Sequence, residues 1–220
     1  MSAHPLRVLL DKAAAGRFPP ADGLIDVVPS PGGLADAIVG MTGHFMLAAD
    51  IDRAEIDARI PPGDFSLPMS AQTLQWLAQR LDSVPATFDA LLCRIGTGAG
   101  APPWLHEVDG HDHPRVERAA RYRDDMRVFV SDDDGAVLII GRGVCDRWEF
   151  GFEVMPDARG SGLGRRVAAA AAGLVPAGEP LWGQVAPGNA ASLRALGAAG
   201  FVPVGAEVLF PRARGEVVDG

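Results

Sequence analysis

Residues 154–166 read V-M-P-D-A-R-G-S-G-L-G-R-R, and an alanine-rich run follows. Glycines at the alternate positions 160, 162 and 164, set between an apolar run and a helix-forming run, predict a strand, a tight turn and a helix. The first amides of such a helix point outward, which outlines an anion site. The spacing excludes two familiar phosphate loops. A dinucleotide-binding turn counted from Gly160 and Gly162 needs its third glycine where Arg165 stands, and a P-loop needs Lys with Ser or Thr where Gly164 is followed by Arg165 and Arg166. An unliganded strand-to-helix turn is the plain alternative.

Composition bounds the rest. The chain has 220 residues, 48% of them hydrophobic, enough for a real core. Its net charge of -8 argues against nucleic acid as a partner, so any anion site is a local basic patch. Cys93 and Cys145 lie in apolar segments without a C-x-x-C partner and read as reduced, buried thiols. The first apolar run stops at Asp11, too short for a signal peptide, and no segment reaches membrane-spanning length. The expectation is a soluble cytoplasmic protein.

Residues 1–84 read as a mostly helical segment with one strand at residues 24–28. Ser30 with Pro31 opens an expected helix carrying Leu34, Ile38 and Met41; Asp52 with Glu55 opens a second; Ser70 opens a third with Leu74, Leu77 and Leu81 on one face. From Phe88 the pattern changes to strands: F-D-A-L-L-C-R-I, then a helix from about Pro114 to Tyr122, then a hairpin about the turn at residues 132–135. R-W-E-F-G-F-E-V runs into the opening loop, and beyond its helix come a strand near Leu181, a helix from Asn189 and a terminal strand from Phe201.

This order, together with the loop, resembles the GNAT superfamily of acyl-CoA-dependent N-acyltransferases. The family's V-x-P followed by R-G-x-G-x-G stands here as Val154, Pro156, Arg159, Gly160, Gly162 and Gly164. Its second feature, an Asn, a small residue three positions on, and a closing Gly-Phe, stands as Asn189, Ser192 and Gly200-Phe201. The resemblance covers about residues 86–210 and none of residues 1–84. It implies an α+β fold with a mixed central sheet, splayed strands and flanking helices. Residues 85–220 would then be the acetyltransferase domain and residues 1–84 a mostly helical acceptor-side cap or interface; a homodimer is left open.

What the resemblance implies about chemistry follows residue by residue. Acetyl-CoA is the cosubstrate, with no metal, and the acceptor is a small-molecule or peptide amine. Amides from Arg159 through Gly160, Ser161, Gly162, Leu163, Gly164 and Arg165 would hold the pyrophosphate, aided by the helix dipole. Backbone groups of Phe152, Val154 and Met155 would pair with the pantetheine arm, and Asn189 and Ser192 would reach the cofactor or simply cap their helix. Val154 is the expected oxyanion donor. Glu149 and Glu153, on one face of the strand opposite Trp148, Phe150 and Phe152, are the candidate bases, one of them with a pKa raised by burial. The family's Tyr seven residues after the Asn is Leu196 here, which removes the usual acid and leaves Tyr122 as a substitute; a binder of acyl-CoA without transfer is the alternative. The H-E-V-D-G-H-D-H run at residues 106–113 lacks zinc-protease spacing; its Glu107, His111 and His113 are expected to border the acceptor.

Overall fold

The computed structural model describes residues 3–109 and 112–212; His111 lies outside the described residues. The chain builds a ten-stranded mixed sheet. The N-terminal part supplies α1 (Pro5–Ala14), β1 (Ile25–Val28), β2 (Ala35–Met41), β3 (His44–Ala48), α2 (Arg53–Asp57) and α3 (Ala71–Arg80). Then follow β4 (Asp89–Ile95), β5 (Leu105–Val108), α4 (Pro114–Ala119), β6 (Asp124–Ser131), β7 (Ala136–Arg142), β8 (Trp148–Val154), α5 (Leu163–Ala171), β9 (Pro180–Val185), α6 (Ala190–Ala198) and β10 (Val202–Pro211). Across the sheet the order is β1-β3-β2-β10-β4-β9-β8-β7-β6-β5.

Two readings of the sequence are corrected here. The helix expected over Leu34, Ile38 and Met41 is the strand β2. Ala37, Val39 and Met41 enter the core beneath α1, whereas Ile38 enters the core beneath α2 and α3. Both faces are buried, so the apolar run is continuous and its i, i+4, i+7 spacing is incidental. Ser30 caps nothing; its hydroxyl donates to Asp36 at 2.6 Å. A hairpin closes β2 onto β3 through Thr42 and Gly43, with φ of 53° and 83°, the left-handed pair that a two-residue turn demands.

The second correction concerns residues 1–84, which are not mostly helical. Their strands continue the sheet, since β10 pairs antiparallel with β2 on one side and β4 on the other. The strand read from Phe88, β4, lies between β9 and β10, deep in the sheet. The edge beside β6 is the short β5, which the sequence did not announce. Helix α1 and strand β3 were likewise not read from the sequence, whereas Ser70 caps α3 as expected by accepting from the Thr73 amide at 3.2 Å, and residues 132–135 turn β6 into β7.

Alternation sorts the two faces. Leu92, Phe150, Leu181 and Val185 pack with Leu163, Val167 and Leu196 beneath α5 and α6. Leu91, Cys93 and Trp182 point the other way, toward Leu6 and Leu10 of α1, while Val137 and Ile139 meet Ala119 of α4. Helices α4 and α5 therefore lie on opposite faces of β8.

Candidate functional site

Strands β8 and β9 run parallel and stay paired only through Trp148–Leu181, Glu149–Trp182 and Phe150–Gly183. Past Phe150 the sheet forks. Arg123 bridges the two strands at the fork: its Nη2 donates to the Phe150 carbonyl at 3.3 Å and to Gln184 Oε1 at 3.0 Å. Its Nε sits 3.1 Å from a carboxylate oxygen of fully buried Glu149. One strand residue further, Gly151 lacks a β-carbon where one would stand 3.0 Å from Arg115 Nη2, so the Arg115 side chain lies over the strand at the point of splaying.

The ladder alternates, so the fork exposes particular backbone groups. Met155 donates to the Gly135 carbonyl at 2.9 Å, which assigns Glu149, Gly151 and Glu153 to the hydrogen-bonded side with β7 and turns the amides and carbonyls of Phe152 and Val154 toward the gap. Met155 itself is corrected as a cofactor contact. Its amide serves Gly135 and its carbonyl accepts from Ala158 at 3.0 Å.

The glycine loop closes one end of the gap. Gly160 and Gly162 have φ of 80° and 83°, a conformation that disfavours any side chain, and a β-carbon at either would meet nothing within 4 Å. Positive φ by itself requires glycine here. Ser161 donates to the Ala158 carbonyl at 2.7 Å. Gly162 is the N-cap of α5 and offers no side-chain cap, leaving the first-turn amides of Gly164 and Arg165 turned outward. Arg159 donates from Nε to the Val154 carbonyl at 3.0 Å, with its guanidinium 4.0 Å from Glu153; Arg165 is exposed. Leu163 is buried in the core below. On the facing helix, Asn189 Oδ1 accepts from the Ser192 amide at 3.1 Å, a helix cap, and both residues line the gap together with buried Leu196.

The gap opens into a cavity of about 230 Å³ lined by Asp89, Arg115, Arg118, Tyr122, Arg123 and Gln184 among others. Glu149 borders it too, but not as a base. Burial by itself would raise its carboxyl; Arg147, 2.7 Å away, and Arg123 outweigh that and hold it below the ordinary carboxylate range. The expectation of a raised Glu149 pKa is therefore corrected: a carboxylate held by two guanidiniums is a poor proton acceptor. Glu153 stays partly exposed at the mouth beside Arg159.

The carboxylate with the expected property is Asp89, which the sequence reading missed. Burial first, then the neighbouring Glu207, push its carboxyl up to about 6, against the opposing pull of Arg118, Arg115 and Arg123. No local signal marks it, because Asp89 enters the site through β4, whose place between β9 and β10 is a long-range matter. Arg115 and Arg118 had a signal, three apart on one helix face.

The histidine-rich run serves other ends. His106 bonds Asp132, Glu107 is paired with Arg127 at 2.6 Å, and His113 caps α4 by accepting from the Arg115 amide at 3.0 Å. None of the three lines the cavity; α4 presents its arginines instead. No cluster of metal-ligating side chains stands among the described residues, and no helix among them is long and apolar enough to cross a membrane.

Neither a protein-family model nor a curated protein matches the sequence. Among solved structures, the chain is similar to a GNAT-family acetyltransferase from Colwellia psychrerythraea at 14% identity and a TM-score of 0.37, over 65% of this chain and 63% of that one. It is likewise similar to a GCN5-related N-acetyltransferase from Kribbella flavida at 15% identity and a TM-score of 0.38, over 68% and 66%. The chain thus spans less than two thirds of the length of either structure, and likeness at this depth carries neither activity nor substrate.

Proposed function

We propose that the chain is a GNAT-type N-acyltransferase that moves an acetyl group from acetyl-CoA to a primary amine in a ternary complex. The observation that supports it is the fork after Phe150: the backbone of Phe152 and the amide of Val154, free of a strand partner, face a gap whose end is the uncapped first turn of α5, while the Val154 carbonyl accepts from Arg159. A strand edge of this kind suits an amide-bearing arm such as pantetheine, and uncapped helix amides suit a pyrophosphate. The residues present therefore fit the group, with Arg159, Gly160, Ser161, Gly162, Leu163, Gly164 and Arg165 on the phosphates and Asn189 and Ser192 along the arm.

Acetyl-CoA, when bound, supplies an activated thioester. The chain's part is to orient it, to hold charge and to move a proton. The Val154 amide faces the gap and would hold the negative charge that grows on the acyl oxygen. Asp89, with a carboxyl near 6, is mostly ionised at neutral pH and is matched to taking a proton from the attacking amine; Glu153, partly exposed beside Arg159, is the other candidate carboxylate. A C–N amide bond forms, the C–S bond breaks, and the amine's proton ends on the thiol. A thiol of pKa about 8.5 leaves acceptably without help, so Leu196 in place of a tyrosine does not prevent transfer. The same buried Leu196 favours a second reading, a binder of acyl-CoA that transfers nothing.

Calorimetric titration with acetyl-CoA and with CoA, followed by thiol release over a panel of amines, tests both. Micromolar binding with turnover supports the transferase. Binding with no release on any amine supports the second reading, and no binding by folded protein overturns both.

A further inference from the structure

Arginine is the chief cation of this protein, and most arginines near carboxylates are paired: Arg7, Arg53, Arg80, Arg123, Arg127, Arg147 and Arg212 each hold an Asp or Glu. Arg115 and Arg118 are different. Both line the cavity at the fork, and neither guanidinium has an ion pair or hydrogen bond among the described residues. Arg115 is partly buried over Gly151; burial first, then the nearby Arg123 and Arg118, pull its pKa down against the weaker opposing pull of Glu153 and Asp89, so cationic charge outweighs anionic charge on this wall. Arg123 cannot relieve it, because its own charge is committed to Glu149.

A desolvated, unpaired guanidinium is costly, and its natural complement is a carboxylate, which an arginine can grip with two parallel hydrogen bonds. The anion is not the cosubstrate's pyrophosphate: α4 lies on the opposite face of β8 from α5, whose amides serve that group. Asp89 lines the same cavity, within the field of Arg118 and Arg115 but hydrogen-bonded to neither, a carboxylate suited to an ammonium or amine. About 230 Å³, part of it taken by the end of the cosubstrate, holds a small molecule.

Building on the acyltransferase reading, we propose that the acceptor is a small amino-carboxylic acid whose carboxylate is bound by Arg115 and Arg118 while its amine faces Asp89. The acidic net charge and the Asp132-Asp133-Asp134 turn point to a purely cationic amine only if the cavity wall is ignored.

The test uses the full chain with acetyl-CoA and a panel of α-amino acids, each set against the amine that lacks its carboxylate, read by thiol release and by thermal stabilisation. A charge-assisted bidentate contact of about 1.5 to 3 kcal/mol predicts a kcat/KM preference of about 10- to 100-fold for the carboxylate-bearing member. Arg115→Gln should bring that ratio toward one by raising KM for the amino acid while leaving the Kd for CoA as it was; Arg118→Gln, at the more exposed position, should do so less. Three results would overturn the proposal: equal or better turnover of the decarboxylated members, no stabilisation of CoA-loaded protein by any member of any pair, or an Arg115→Gln effect on the CoA Kd in place of the acceptor KM. Failure of CoA to bind would instead sink the acyltransferase reading. Stabilisation of CoA-free protein by amino acids, abolished in Arg115→Gln, would then still uphold the carboxylate site, and its absence would end that as well.

Discussion

Replacing Arg147 by Met should convert the most buried ion cluster of the protein into its largest liability. Arg147 is fully buried and donates to Glu149 at 2.7 Å and to Glu207 at 2.8 and 2.6 Å; both carboxylates are as inaccessible as the arginine. Without the guanidinium, Glu207 is left with no hydrogen-bonded cation and Glu149 with Arg123 alone, and Asp89 stands opposite Glu207 in the β4–β10 register. Removing one partner of a buried pair costs about 3 to 5 kcal/mol, because the remaining charge stays desolvated. For a chain of this size each kcal/mol is about 2 to 4 °C, so the melting temperature should fall by about 6 to 20 °C. The pH dependence supplies a sharper sign. In the native protein Glu149 is held below its ordinary value, so its contribution is present above the unfolded carboxylate pKa and is lost as pH falls through the lower folded value. In Arg147→Met the orphaned carboxylates rise above that value, and stability should increase as pH falls from 7 toward 5. Urea unfolding at several pH values measures both effects. The triple variant Arg147→Met, Glu149→Gln, Glu207→Gln should lose less than the single, since it leaves fewer uncompensated charges. A single variant within about 1 kcal/mol of native stability, or one less stable at pH 5 than at pH 7, would refute this account of the cluster.

Three further outcomes follow from the same geometry. Asp89→Asn should stabilise the protein by on the order of 1 to 2 kcal/mol above pH 6 and by little near pH 4, because a carboxyl raised from 3.8 to about 6 favours folding when protonated and is partly shielded by solvent; if Asp89 is the base, the acid limb of the kcat/KM profile near pH 6 should vanish in the variant. Gly143→Ala would place a β-carbon 2.1 Å from the Glu149 carboxylate carbon and should destabilise by about 1 to 3 kcal/mol in thermal unfolding, with Arg123 shifted from the fork; native-like stability would contradict the packing. Burial pushes the Cys93 thiol up to about 12, so it should react with a disulfide reagent at neutral pH only as fast as the protein unfolds, and rapid labelling of Cys93 in the folded state would contradict this; Cys145, half-buried where a buried thiol was expected and raised to about 11, should react slowly without unfolding.

The residues whose role is local were legible in the sequence. Gly160 and Gly162 announce their positive φ, Ser70 and Asn189 announce their caps, and the turn at residues 132–135 announces its hairpin, because each is fixed by neighbours within a few positions. Strand β2 was misread, since a strand buried on both faces has no alternation to show and a helical spacing arises by chance. Glu149 was misread for a related reason: period two placed it correctly on the face away from Phe150, but whether such a carboxylate meets solvent, substrate or arginine depends on Arg147, Arg123 and Glu207 arriving from other elements. The sequence by itself determined the loop, the helix behind it and the strand that leads in. Only the tertiary structure decided that β4 lies between β9 and β10 and brings Asp89 to the cavity, that residues 1–84 extend the sheet, and that Arg123 bridges the two strands where they part; each rests on pairing or ion contact between residues distant in sequence, which short-range pattern does not encode.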